Sequence, residues 1–270
     1  MKLVYKYSPP SPSLLVERGG IRRRRGEYLT LFLALVCLGF TSGSFKKEQL
    51  KYPHVQTAYK EKWALIKSKL TKAGVDTSHF EIFIRVFKQD AQLQVWARSK
   101  NSNGFKWVET YPICRSSGTL GLKRMEGDLQ VPEGFYQVSV FQPTSEFYLA
   151  LQVSYPNSSD RIKSDKAHPG GEIMIHGNCV TIGCMPLTDD KIKEVYLMAI
   201  EARDNGQQLI PIHIFPTTLD DKGMNWLKDN FKDPVKIAFW ENLQTGYTYF
   251  ETKKTIPKVG VDAKGDYIFQ

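Results

Sequence analysis

The chain has 270 residues, 41% apolar, 12% aromatic and 24% charged, which excludes wholesale disorder and allows a core that needs no disulfide framework. Its formal charge of +9 suggests a nucleic-acid or membrane binder until it is divided: seven basic and two acidic residues lie in the first 43, leaving 30 basic against 26 acidic. The body is therefore mildly basic, a solvated mixed-charge surface with some affinity for an acidic polymer, and no nucleic-acid partner is expected.

Four consecutive arginines, Arg22 to Arg25, precede an apolar run of about a dozen residues that ends at Phe40. This is the pattern of an export signal, because the run is short for a bilayer span of roughly 20 residues and small residues follow it at positions 41–44. Cleavage is expected near Gly43 or Ser44. The alternatives are an uncleaved anchor, or a lipoprotein at Cys37, which bulky Val36 disfavours. Residues 1–43 are thus read as a signal or anchor segment, the only part expected to meet a membrane.

Residues 44–78 read as a helical lead-in. Pro53 suits a first helical turn, and Val55, Tyr59, Trp63, Ile66 and Leu70 recur at helical spacing up to Gly74, a stripe expected to pack on the body. From Phe80 the pattern changes to short β-like runs at 80–87, 93–97, 107–114, 135–141 and 148–155, which predict a mostly antiparallel sheet. In the first run Ile82, Ile84 and Val86 form an apolar face, and Phe83, Arg85 and Phe87 a mixed one. The Gly-rich connection at 116–133 reads equally as a functional loop and as a solvated link. Thr188 can cap a helix that stops at Gly206, residues 211–215 form a short buried strand, and Met224 to Phe231 suggest another short helix. The fold class is β-rich α+β, with a catalytic domain at 79–217 and a C-terminal extension at 218–270 carrying that helix and a basic tail.

Chemistry concentrates in residues 173–185, where the apolar run Ile173-Met174-Ile175 delivers His176-Gly177 to a loop ending in Gly183-Cys184. A thiol becomes a strong nucleophile once deprotonated, an imidazole can take its proton near neutral pH, and a glycine leaves room for a substrate carbonyl. Without the signal three cysteines remain, Cys114, Cys179 and Cys184, so at least one thiol is free or bonded to another chain. Cys184 is preferred as nucleophile because its small and polar neighbours can shape an N–H-lined turn, whereas Cys114 reads as an inert buried residue. A zinc site from His176, Cys179, Cys184 and His168, and a disulfide between Cys179 and Cys184, stay open as alternatives; the first lacks a familiar ligand spacing and the second would abolish the activity. Neither metal nor cofactor is expected. Of the other histidines, His54 and His79 read as solvated, His168 as a lining residue, and His213 as a satisfied core residue.

His176-Gly177 at a strand end followed by Thr181-Ile182-Gly183-Cys184 resembles the YkuD-type L,D-transpeptidases of bacterial cell walls, in their YafK-like subgroup. LGLKRMEGDLQVPEGFY at 120–136, YPNSSDR at 155–161 and PIHIFP at 211–216 extend the likeness over roughly residues 80–250. The resemblance implies a YkuD-like β-sandwich or sheet with flanking helices, in an exported enzyme of the periplasm or cell envelope acting as a monomer in cell-wall and cell-shape maintenance. It implies that Cys184 attacks a carbonyl of a peptidoglycan stem peptide and that the thioester passes to an amine of a second stem. It further implies His176 as base, the Gly177 carbonyl as its orienter, and the N–H groups around Gly183 and Cys184 as oxyanion hole. A catalytic Cys184 would be reactive, with a depressed pKa.

Two departures concern substrate choice. The His-to-Cys gap is short, as in the subgroup, and Met185 stands where many members place a basic residue, so Lys123, Arg124 or Arg161 would have to supply a carboxylate-binding cation. The alternatives are a peptidoglycan hydrolase or amidase that uses water, for example to release a wall-attached protein, and a catalytically silent wall-binding module.

Overall fold

The computed structural model of the protein describes residues 44–270. The segment expected to be an export signal or an anchor, with Cys37, lies outside the described residues. Two helices lead the chain, α1 Phe45–Gln49 and α2 Pro53–Lys72. Pro53 sits in the first turn of α2, where its missing N–H leaves no bond unmade. Val55, Ala58, Ile66 and Leu70 are fully buried on one face, with Tyr59 and Trp63 partly covered, so the stripe is core as expected.

The strands follow as β1 Phe80–Phe87, β2 Gln92–Ser99, β3 Lys106–Pro112, β4 Gly134–Ser145 and β5 Tyr148–Val153. After α3 Ser158–Lys163 come two very short strands, β6 Met174–His176 and β7 Met185–Pro186. Helix α4 Asp189–Asp204, strand β8 Pro211–Phe215, and helices α5 Asp221–Asn230 and α6 Pro234–Lys253 complete the body. A two-stranded sheet of β9 Val259–Val261 and β10 Tyr267–Phe269 closes the chain.

The main sheet has eight strands in the order β3-β2-β1-β8-β4-β5-β6-β7. Only β1 with β8 and β6 with β7 are parallel. Strand β4 carries the sheet around a bend: residues 134–137 pair with β8, and beyond an irregularity between Val138 and Val140 the strand pairs with β5. Such an irregularity increases local twist and re-aims a strand, which curls the sheet and sets β6 and β7 at its far edge. This is the mixed α+β architecture with flanking helices that the sequence implied.

Two apolar layers flank the sheet. Ile82, Ile84 and Val86 of β1 join α2 and α4 in the larger core cluster. The opposite face of β1 is buried too, because α6 covers it. Phe83 meets Phe250 with ring centroids 4.8 Å apart, and Arg85 lies among the rings of Phe87, Tyr247 and Phe250 with one nitrogen 2.6 Å from Glu251. The mixed face expected of this strand is therefore an interior face with one guanidinium in it.

Helix α6 is the principal element that the sequence does not predict, since the extension is expected to carry one short helix and a basic tail. Asp233 caps it by accepting the N–H of Val235 at 2.9 Å, and Pro234 starts it. Trp240, Leu243, Tyr247 and Phe250 line its buried face at steps of three and four residues. Gly246 permits close packing, since a β-carbon there would lie 2.6 Å from the Phe135 ring. Thr188 stands at the start of α4 as expected, but its side chain makes no capping bond.

Candidate active site

Strands β6 and β7 are only three and two residues long, yet their pairing positions the chemistry. They run parallel with Ile175 opposite Met185 and His176 opposite Pro186. Extending that register by one residue sets Cys184 opposite Met174. Side chains alternate along a strand, so Cys184 and His176 project from the same face, with Cα atoms about 8 Å apart from ordinary strand spacings. Both line one cavity of about 910 Å³.

His176 is held on three sides. Its main chain pairs with Ala150 of β5, its ring lies 4.7 Å from that of Phe147, and its Nδ1 donates to the carbonyl oxygen of Gly177 at 2.5 Å. With the Nδ1 proton committed, Nε2 is left as the acceptor, the tautomer a base requires. Burial pulls the imidazole below its usual pKa, and the bond to Gly177 opposes this in part. The imidazole is therefore neutral at neutral pH.

Gly177 has little space for a side chain: a β-carbon there would lie 2.5 Å from Asp189 Oδ1 and 2.8 Å from the Phe147 carbonyl. That same Asp189 oxygen accepts the N–H of Asn178 at 2.8 Å. The first residue of α4 thus fixes the loop leaving His176. Asn178, at φ 54°, and Gly183, at φ 139°, both lie in the left-handed half of backbone space, so the short His-to-Cys connection turns sharply at each end.

Cys184 carries the one free thiol among the described cysteines. Cys114 and Cys179 are bonded to each other with Cα atoms 5.6 Å apart. This corrects two expectations: Cys114 is not an inert buried thiol, and Cys179 is available neither to zinc nor to Cys184. The disulfide ties the segment leaving β3 to the loop that ends in Cys184.

The thiol donates to the Glu172 carbonyl at 3.6 Å, and no hydrogen bond joins it to His176 in this state. Burial pushes its pKa above the ordinary thiol value; the N–H of Met174 and the charge of Lys123 pull the other way, and Glu172 adds to the rise. The depressed pKa expected of Cys184 is therefore absent in the resting site, where a neutral thiol faces a neutral imidazole.

The expected oxyanion donors are occupied. Thr181 Oγ1 accepts the N–H of Cys184 at 2.8 Å and that of Gly183 at 3.1 Å, and its own proton goes to the Cys184 carbonyl at 2.8 Å. One hydroxyl closes the whole turn, and a developing oxyanion would have to compete with it for these N–H groups. The sequence identified Thr181 as part of a motif without revealing this role.

The three candidate carboxylate-binding cations are not free at the thiol. Lys123 lines the cavity, but its Nζ is held by Asp128 Oδ1 at 2.6 Å and the Met125 carbonyl at 2.9 Å. Arg124 faces a different cavity beside Leu122 and Phe239, and Arg161 is exposed on α3 and lines neither cavity at Cys184. The cation that lines the site without an ion pair among the described residues is Arg115, which sequence spacing could not place there. His168 lines the cavity, as expected. His213 is buried among Phe83, Phe135 and Phe215, but its Nδ1 has no partner, so it is not the satisfied core histidine expected.

No protein-family model matches the chain. A curated Escherichia coli (strain K12) protein, "Putative L,D-transpeptidase YafK", is 36% identical over 190 residues, covering 69% of this chain and 73% of its own length. The chain belongs to the YafK-like L,D-transpeptidase family. Among solved structures it is similar to the helical cell shape determining protein Pgp2 of Campylobacter jejuni, at TM-score 0.41 and 18% identity over 73% of this chain and 80% of that one. It is also similar to Bd1075 of Bdellovibrio bacteriovorus, at TM-score 0.36 and 21% identity over 70% and 76% of the two chains. The family membership rests on the sequence relative.

Proposed function

We propose that the protein is an exported cysteine acyltransferase of the cell envelope that acts on peptidoglycan stem peptides, with residues 79–217 as its catalytic domain. The observation that carries this reading is a free thiol and a tautomer-fixed imidazole on one face of the β6–β7 pair, opening into one cavity. The name of the Escherichia coli relative supplies the reaction class.

In the first half-reaction His176 Nε2 takes the Cys184 proton as sulfur bonds to the stem-peptide carbonyl carbon. The tetrahedral oxyanion collapses, the carbon–nitrogen bond breaks, and the amine leaves with the proton returned by His176, leaving a thioester on Cys184. In the second half an acceptor amine gives its proton to His176 and attacks the thioester carbon. The carbon–sulfur bond then breaks and the thiol is reprotonated. Gly177 holds the imidazole through its carbonyl, the part a carboxylate plays in other triads.

The test is mass spectrometry of a disaccharide tetrapeptide incubated with the protein, alone and with an added amine acceptor. Crosslinked dimer or amine-exchanged product is the expected result. Cleaved stem without exchange would replace the transferase reading with a hydrolase, and an unchanged stem would overturn both.

A further inference from the structure

A second, smaller cavity of about 200 Å³ meets the large one at the nucleophile. Cys184 and Arg115 line both. The small cavity is also lined by Ser116, Ser117, Gly118 and Thr119, which with Arg115 form the segment after the disulfide-bonded Cys114.

The cations around these cavities differ in what they are free to do. Lys88 lines the small cavity, but its Nζ is 2.8 Å from Glu133 Oε1 and also bonds the carbonyls of Val131 and Gly121. Lys123 is held by Asp128 and Met125. Arg115 is exposed and makes no hydrogen bond or ion pair within the described residues. Beside it, the Ser117 hydroxyl is buried with no partner. A free guanidinium and an unspent hydroxyl in one pocket constitute a site for a small anionic group, and a guanidinium matches a carboxylate with two parallel N–H donors.

We infer that the small cavity binds the free carboxylate on the leaving-group side of the scissile amide, with Arg115 as the specificity-determining residue and Ser117 as a second donor. The inference deepens the acyltransferase reading and rests on it. It places a negatively charged terminal residue on one side of Cys184 and leaves the large cavity, beside Glu126 and Glu172, for the rest of the donor and for a cationic acceptor amine. Arg115 thereby stands where the basic residue after the nucleophile is missing. The Cys114–Cys179 disulfide links Arg115 and the Cys184 loop, so the anion site and the nucleophile are positioned by the same crosslink.

The experiment compares a disaccharide tetrapeptide bearing a free terminal carboxylate with its C-terminal amide, in the full-length protein and in Arg115→Gln and Arg115→Lys. The wild type is expected to prefer the acid by about 10- to 100-fold in kcat/KM, the worth of one charge-assisted pair. Arg115→Gln should lose that preference, and Arg115→Lys should recover part of it. A thermal melt and an alkylation rate of Cys184 like those of the wild type show that the variant is folded. Equal losses on both substrates, or an undiminished preference in Arg115→Gln, would overturn the assignment of Arg115. A wild type that turns over neither substrate would remove the acyltransferase reading and this inference with it.

Discussion

His176 is oriented by the residue that follows it: its Nδ1 donates to the carbonyl of Gly177 at 2.5 Å. The bond needs a backbone turn with no side chain at 177, because the space where a β-carbon would lie is occupied by Asp189 and by the Phe147 carbonyl. Gly177→Ala should therefore displace the imidazole and lower kcat by about 10- to 100-fold, the usual result of an ångström-scale misplacement. Steady-state kinetics beside a thermal melt would check it, and wild-type kcat in a folded Gly177→Ala would contradict it.

The two reacting groups are both neutral at rest, so the pH profile should be broad. Burial holds His176 below 6.5 and Cys184 above 9.0, their respective ordinary values. Activity should rise as pH increases through the lowered imidazole pKa and stay on a plateau across neutrality. Alkylation of the resting enzyme by iodoacetamide, which reads the thiolate, should keep rising beyond pH 9. An alkylation midpoint near pH 6 would instead reveal a resting thiolate–imidazolium pair.

The same burial makes stability depend on pH through two histidines. His213 lies well below its ordinary value because it is buried, with the nearby Arg85 charge acting in the same direction, and burial also lowers His176. For a depressed pKa the unfolded chain binds the proton first. The stabilising contribution is therefore complete above about pH 6.5 and is lost as the pH falls below it. Urea melts from pH 8 to 5 should show a falling midpoint, shallower in His213→Phe. An equally steep fall in that variant would exclude His213 as the source.

Thr181 closes the turn before the nucleophile with three hydrogen bonds. Thr181→Val keeps the shape and removes them, at a cost of about 2 kcal/mol from the usual net value of such bonds. For a body of this size that corresponds to a fall of roughly 4–8 °C in Tm, and Thr181→Ser should recover it. A melt unchanged in Thr181→Val would contradict the role assigned to the hydroxyl.

The disulfide joins residues 65 apart in sequence and ties the loop between His176 and Cys184 to the segment after β3. Loop-closure entropy gives about 4 kcal/mol for a crosslink of that span. Cys114→Ser with Cys179→Ser should lower the denaturation midpoint accordingly and reduce turnover, while Cys184 stays open to alkylation. Identical melts under oxidising and reducing conditions would show that the bond contributes nothing.

The strands were legible where one residue type dominated a short run: β1 begins and ends at Phe80 and Phe87 as the alternation predicts. Helix α6 carried a readable signal in the spacing of Trp240, Leu243, Tyr247 and Phe250, but Gly246 and a β-prone aromatic cluster masked it. The motif at 176–184 was legible because its chemistry is local. Arg115 was not, since 68 residues and a sheet bend separate it from Cys184, and three cysteines allow three pairings that spacing alone cannot rank. The occupied N–H groups at Gly183 and Cys184 were hidden for another reason. A threonine in a turn motif does not announce which backbone groups its hydroxyl will satisfy.

If the Cys184 thiol carries the acyl group, quenching the full-length protein in acid during turnover of a disaccharide tetrapeptide traps the adduct, which intact mass and the modified peptide reveal. A stem-peptide adduct that hydroxylamine removes is expected on Cys184, absent in Cys184→Ala and strongly reduced in His176→Ala. Turnover by Cys184→Ala, or turnover by the wild type through an adduct on another residue, would contradict it.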